Sequence, residues 1–318
     1  MKLSTIRPLV AEGEAVENHG EDSYFVRTSD SGLFFMGVFD GCGGLGGRRY
    51  TGLNKRTGAW IGSQAAAYAA DAFVKRGGFD FTLERAQLLQ RYIGKKLSDY
   101  KNKLEVSVGV QVGGKLKKSL PTTVCMAAAR QDDSDINLCE FLWAGDSRGY
   151  ILDDEGLCQM TTDDIDSNED DAFRNLREDG VLTNVAHGDG DFVLHSGTRY
   201  VSRPSVLICA TDGCFAYFLS PMDFEFVVLD TIISADSTEE WLELLGKRIK
   251  EVTGDDYAIT ISCLGFGSFD EMKNYFSARR DQVETLIKMQ ENASEEQLKI
   301  LWDQYKPTYY RYTLNMEY

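Results

Sequence analysis

The sequence predicts an α+β fold built on antiparallel β-sheets, with helices gathered at its C-terminal end. Three observations carry that prediction. Short runs rich in Val, Ile, Phe, Tyr and Cys, bounded by Gly, Asp and Ser, recur through the first 268 residues. Several follow one another at hairpin distance, across "RQDDSDIN" and "GDSRG", which favours antiparallel pairing over a regular βαβ alternation. From residue 269 the pattern changes to the 3.6-residue period of amphipathic helices.

The elements follow in order. "DSYFVRT" and "GLFFMGVFD" are the first expected strands, and helices are expected over 58–76 and 82–105. "TTVCMAAAR", "NLCEFLWAGD", "GYILDD" and "SVLICATD" are the next strands. A helix over 238–253 opens with Ser237 and Glu240 at capping-box spacing, and "AITISCLGF" is the last strand. "FDEMKNYFSARRDQVETLIKMQ" and "SEEQLKILWDQY" read as helices, so residues 1–268 form the expected main domain and 269–318 a helical appendage.

The formal charge of −16 leaves no basic face for a nucleic-acid backbone. The same excess of acids suits hard cations, which take oxygen ligands. Seven cysteines, an odd number with no C-x-x-C pair, read as reduced thiols buried as small hydrophobes. No window approaches a membrane-spanning length, and the first twenty residues hold no signal-like apolar core. A cytoplasmic protein with neither nucleic-acid nor membrane partner is expected.

"FFMGVFDGCGGLGG" contains Gly41, Gly43 and Gly46 in G-x-G-x-x-G spacing. A dinucleotide site needs a helix opening at those glycines, and the chain turns helix-like only near Gly58. Asp40 would also set a full negative charge beside a pyrophosphate. A strand-end acid followed by glycine suits a cation instead, although Asp-Gly is also a hairpin turn. Further acids share that setting: Glu21 and Asp22, Asp146, Asp212, and the Asp255–Asp256 pair. Packed together without a cation, they would repel one another and take up protons.

In their order, "GEDSYF", "VFDGCGG", "PTTVCMAAA", "WAGDSRGYIL", "MTTDD", "ICATDGCF" and "GDDYAITIS" resemble the metal-dependent serine/threonine protein phosphatases of the type 2C (PPM) class over about residues 15–266. The resemblance implies a four-layer α-β-β-α sandwich with two central antiparallel β-sheets, a helical C-terminal extension and a two-metal cleft at one edge. It implies that Asp40 bridges two Mg or Mn ions and that the Gly41 carbonyl binds one of them. Asp212 and Asp256 would complete the first, catalytic metal site. Glu21 would reach the second ion with Asp22 in support, and Asp146 would hold a weaker third. Asp256 is preferred over Asp255 because it continues the parity of the following strand, with Asp255 as the alternative. The implied reaction is hydrolysis of phosphoserine and phosphothreonine in proteins by a metal-activated water, with phosphoproteins of a protein kinase system as partners.

Two positions depart most from the family pattern. Cys42 stands where a His is common, and a neutral thiol is a poor general acid. Glu17 stands where the family places a phosphate-gripping Arg, which leaves His19, Arg48, Arg49, Lys55 and Arg56 as candidate replacements. Ala216 replaces an acid near the third metal. "DDIDSNEDD" has the alternation of a calcium loop but Glu169 in its glycine position, so it reads as an acidic loop. Arg148 reads as structural, and His187 and His195 carry no assigned role. The alternative functions are a phosphatase-like regulatory or binding module and a small-metabolite phosphatase.

Overall fold

The computed structural model describes residues 8–28, 33–50, 55–77, 82–108, 118–131, 137–166, 171–176 and 180–312. In chain order its elements are β1 (Leu9–Gly13), β2 (Ser23–Thr28), β3 (Phe34–Phe39), α1 (Gly43–Gly46), β4 (Arg49–Tyr50), β5 (Arg56–Thr57), α2 (Gly58–Gly77) and α3 (Leu83–Val108). There follow β6 (Val124–Gln131), β7 (Asn137–Ala144), β8 (Arg148–Asp153), β9 (Gly156–Gln159), α4 (Ala172–Asn175), β10 (His195–Val201) and β11 (Ser205–Ala210). The chain ends with α5 (Pro221–Ser234), α6 (Thr238–Lys250), β12 (Tyr257–Leu264), α7 (Phe269–Gln290) and α8 (Glu295–Tyr309).

Two five-stranded antiparallel sheets form the centre, in the orders β1-β12-β11-β8-β9 and β10-β7-β6-β3-β2. Inner strands such as β3, β11 and β12 are buried on both faces, which is why they read as apolar runs, whereas the edge strands β1, β2 and β10 are partly exposed. The two faces of each strand serve different layers. Along β3, Phe34, Met36 and Val38 pack between the sheets, while Phe35 and Phe39 pack under α2 and α3. Along β11, Leu207 and Cys209 face the other sheet, while Val206, Ile208 and Ala210 lie under α5, α6 and the C-terminal helices. The result is the four-layer α-β-β-α sandwich expected.

The longest unexpected helix is α5. It carries "FEFVVLDTII", an aromatic and β-branched run that reads as a strand on propensity. It becomes a helix because α6 and α7 cover it on top of the sheet, so it is apolar on nearly every side. β1, β9 and β10 also escaped the sequence reading. Helices α7 and α8 join the same core through Met272, Phe276, Val283, Trp302 and Tyr309. All seven cysteines are buried and free of disulfides. Among the described residues no helix is long and apolar enough to cross a membrane.

Candidate metal centre

The acids singled out from the sequence converge where strand ends of the two sheets meet. Glu21, Asp22, Asp40, Gly41, Asp146, Asp212, Asp255 and Asp256 line one cleft of about 320 Å³, together with Cys42 and Leu182. Asp146, Asp212 and Asp255 also line an adjoining hollow of about 500 Å³ walled by Ile165, Leu176 and Phe215.

Asp40 leaves the end of β3 and its backbone is clamped. Its amide donates to Thr123 Oγ1 at 3.0 Å, and its carbonyl accepts from the Thr123 amide and the Thr122 hydroxyl, both at 2.8 Å. Thr123 Oγ1 in turn shares a 2.6 Å hydrogen bond with Ser147 Oγ, beside Asp146. The hydroxyl residues of "PTTV" and "GDSRG" therefore act through the backbone, a role the sequence reading did not give them. Gly41 is packed so tightly that a Cβ would lie 2.7 Å from the Glu21 carbonyl oxygen and 2.8 Å from that of Ala59. The stretch after it, expected to run irregularly to Gly58, makes the single turn α1, with the Leu45 and Gly46 amides donating to the Cys42 carbonyl.

Asp212 opens a 3₁₀ turn at the end of β11. Gly213 beside it leaves no room for a side chain, since a Cβ would sit 1.8 Å from the Asp256 carbonyl oxygen. That close approach locks Asp212 against the Asp255–Asp256 turn. Thr211 Oγ1 donates to Asp22 Oδ2 at 2.7 Å, and Thr57 Oγ1 donates to Glu21 Oε1.

The adjacent acids 255 and 256 play different parts. The two Asp256 carboxylate oxygens accept the backbone amides of Ala15 and Glu21, each at 2.8 Å. Its side chain thus ties the β1–β2 connection to the cleft wall. Among the described residues the Asp255 carboxylate accepts only the Asp256 amide, at 2.8 Å, and its charge acts on Glu21, Asp22, Asp40 and Asp212.

The electrostatics follow from crowding in a low-dielectric cleft. Burial, then the charges of Asp212, Asp22, Asp146 and Asp255, push the Asp40 carboxyl well above the usual range. Burial and the Asp212 charge push Asp146 up to about 8. Asp212 rises to about 6 through burial and Asp255, opposed by hydrogen bonds from the Gly213 amide and with Asp40. Burial likewise raises Asp22, Glu21 and Asp255. Burial and the charges of Asp40, Asp146 and Asp212 hold the Cys42 thiol protonated, so it supplies neither base nor nucleophile.

These donors fit a divalent cation. They are oxygen ligands in excess, and among the described residues the buried Asp146 Oδ1 has no hydrogen-bond partner. Among the described residues no three acidic, His or Cys side chains are already drawn together around an ion position, as expected of carboxylates that repel one another.

Other readings from the sequence find their places. Arg148 is buried in a two-pronged pair with Asp163, at 2.7 to 3.2 Å, and is structural. His195 Nε2 meets Asp164 Oδ1 at 2.9 Å, while Glu17 is exposed to solvent. Residues 167–170 of the acidic loop lie outside the described residues.

No family model and no curated relative matches the sequence. Solved structures do resemble the fold. The serine/threonine phosphatase Stp1 from Staphylococcus aureus matches with a TM-score of 0.61 at 14% identity, over 84% of this chain and 98% of that one. The Mycobacterium tuberculosis serine/threonine phosphatase PstP/Ppp matches with a TM-score of 0.56 at 15% identity, over 82% and 99%. PppA, a regulatory component of the type VI secretion system in Pseudomonas aeruginosa, matches with a TM-score of 0.54 at 18% identity, over 81% and 97%. The chain has the fold of the PPM-type serine/threonine phosphatases.

Proposed function

We propose that this chain is a metal-dependent phosphatase that hydrolyses phosphoserine and phosphothreonine in proteins. The observation that carries the proposal is the gathering of seven carboxylates, at strand ends of both sheets, in one cleft where burial and mutual repulsion raise the pKa of six of them.

Asp40 would hold the metal, with the Gly41 carbonyl beside it. Asp212 and Asp255 would hold a first ion, Glu21 and Asp22 would hold a second, and Asp146 would hold a weaker third. We assign Asp255 in place of Asp256 because the Asp256 oxygens are already engaged by two backbone amides. Bound there, Mg or Mn supplies Lewis acidity toward the phosphoryl oxygens and lowers the pKa of water. The protein's own contribution is positional. Thr122, Thr123 and Ser147 fix where Asp40 points, Gly213 fixes Asp212, and Leu182 and Cys42 close the apolar side of the cleft. The protonated Cys42 leaves the alcohol product to take its proton from water.

The test is hydrolysis of an aryl phosphate and of phosphopeptides with and without Mn²⁺. Metal-stimulated turnover that Asp40→Asn lowers by two or more orders of magnitude is expected. Mn²⁺ binding without turnover on any phosphate ester would assign the binding-module reading instead. Preference for small phosphorylated metabolites over phosphopeptides would redirect the substrate class.

A further inference from the structure

Beside the acidic cleft, and sharing Glu21 with it, lies a small cavity of opposite character. Asn18, His19, Glu21, Arg49, Lys55, Arg56, Thr57 and Trp60 line about 60 Å³, well above the roughly 10–15 Å³ that admits a single water. The two-residue strands β4 and β5 bring its three cations together: Arg49 pairs with Thr57 and Tyr50 with Arg56 across the ladder. Arg49 Nη1 donates to the Lys55 carbonyl at 3.1 Å, closing the hairpin on itself. Arg56 Nη1 donates to the Asn18 carbonyl at 2.8 Å, and its guanidinium lies 4.6 Å over the Trp60 ring. Lys55 holds a left-handed φ of +62°, a conformation unfavourable to a side chain with a Cβ. The cavity is thus built from both sides, by the hairpin and by the Asn18–Glu21 segment.

These cations stand apart from the arginines that hold the fold together. The chain carries 50 acids against 34 Lys and Arg, and elsewhere arginines such as Arg148, Arg203, Arg279 and Arg280 meet carboxylates at 2.7 to 2.9 Å. Among the described residues Arg49, Lys55 and Arg56 form no salt bridge. The Arg49 charge is felt by Glu21, so it reaches the rim of the metal cleft. An arginine fork with unused N–H groups beside a cavity is suited to the oxygens of a phosphate.

We infer that this pocket binds the phosphate dianion of the substrate, with Arg49, Lys55 and Arg56 as its cations and Glu21 as the wall it shares with the metal cleft. The inference rests on the phosphatase reading and adds which element grips the reacting ester. It also explains why a cleft of seven carboxylates accepts an anionic substrate: the attraction comes from a hairpin inserted between Asp40 and α2, far in sequence from Glu17.

Calorimetric titration with inorganic phosphate tests it, run with saturating Mn²⁺ and again without metal, on the wild type, Arg49→Ala/Lys55→Ala and Arg48→Ala. Arg49 and Lys55 are exposed, so the double variant keeps its core. Arg48 sits 5.2 Å over the Tyr50 ring outside the pocket and controls for net charge. Removing two cations should weaken phosphate on the order of tenfold or more, raise KM for an aryl phosphate in step, and leave Mn²⁺ affinity within about twofold. Arg48→Ala should match the wild type. Unchanged phosphate affinity in the double variant would overturn the pocket. Loss of Mn²⁺ affinity along with phosphate would overturn it as well, assigning the hairpin to support of Glu21. A wild type that binds no Mn²⁺ would sink the phosphatase reading alone, because the metal-free titrations still compare wild type with variant.

Discussion

The acid cleft and the seam under the C-terminal helices handle buried charge in opposite ways. At the seam each acid meets its donors. Glu225, fully buried on α5, accepts Arg279 Nε at 2.7 Å and Arg279 Nη2 at 3.1 Å, and Tyr305 donates to it as well. Asp171 caps α4 and accepts Lys306 Nζ at 2.6 Å and Trp302 Nε1 at 3.1 Å. Asp230 receives Arg280 at 2.7 Å and Arg248 at 3.0 Å. In the cleft, seven carboxylates crowd together, and burial with mutual repulsion raises the pKa of six of them. The seam uses its charges to hold two helices in place, whereas the cleft leaves its acids without such partners. Unpaired buried charge in a chain that pairs it so consistently elsewhere marks a place for something from outside.

The contrast can be broken most sharply by removing one partner on each side. Arg279→Ala strands Glu225 and should cost about 3–5 kcal/mol of stability in a denaturant titration. Asp40→Asn, which removes a repelling charge, should leave the metal-free protein as stable as the wild type or more so while it abolishes turnover. A stability loss in Asp40→Asn equal to that of Arg279→Ala would erase the distinction.

A finer cut separates the neighbours Asp255 and Asp256. Asp255→Asn should weaken Mn²⁺ binding by about tenfold or more, in keeping with loss of a direct ligand. Asp256→Asn should retain most of the affinity, because an amide oxygen still accepts one of the two backbone N–H groups. The reverse order, read by calorimetry, would return the ligand role to Asp256.

Acidity gives the smallest and most graded effect. Asp146 and Asp212 rise from 3.8 to about 8 and about 6 on folding, so the native state holds extra protons. Their favourable contribution is complete below about pH 4 and is lost as pH rises through those folded values. Asp171 behaves oppositely. Burial works against its charge, but the hydrogen bonds of Lys306 and Trp302 and the Lys306 charge prevail and lower its pKa. Its contribution is present above about pH 4 and lost only in stronger acid. Between about pH 4 and 8 the metal-free protein should therefore melt at progressively lower temperature, and the gain from added Mn²⁺ should grow with pH. A flat profile in metal-free buffer would remove the crowding argument.

Much of this was readable in the sequence, for identifiable reasons. Strands buried on both faces leave unbroken apolar runs, so β3, β6, β7, β11 and β12 stand out. Acids at the ends of such runs mark the cleft even before its shape is known. The layer arrangement was legible only through the ordered motifs, because hairpin spacing gives pairing but not stacking. α5 was hidden because a helix covered on most sides has no polar face to set a period. The choice between Asp255 and Asp256 rested on strand parity, but β12 begins at Tyr257 and alternation does not extend back into the turn. No local pattern could reveal that β4 and β5 fold their basic residues against Asn18 and Glu21.

The position of Asp40 and Asp212 has a mechanical side. One carboxylate ends a strand of the first sheet and the other a strand of the second, and apolar side chains such as Met36, Val38, Leu207 and Cys209 lie between. Such a contact resists separation more than sliding, since dispersion is not directional. A cation gripped by both acids would act as a rivet through the sandwich, so tightening the grip on metal and stiffening the slip plane become one and the same adjustment.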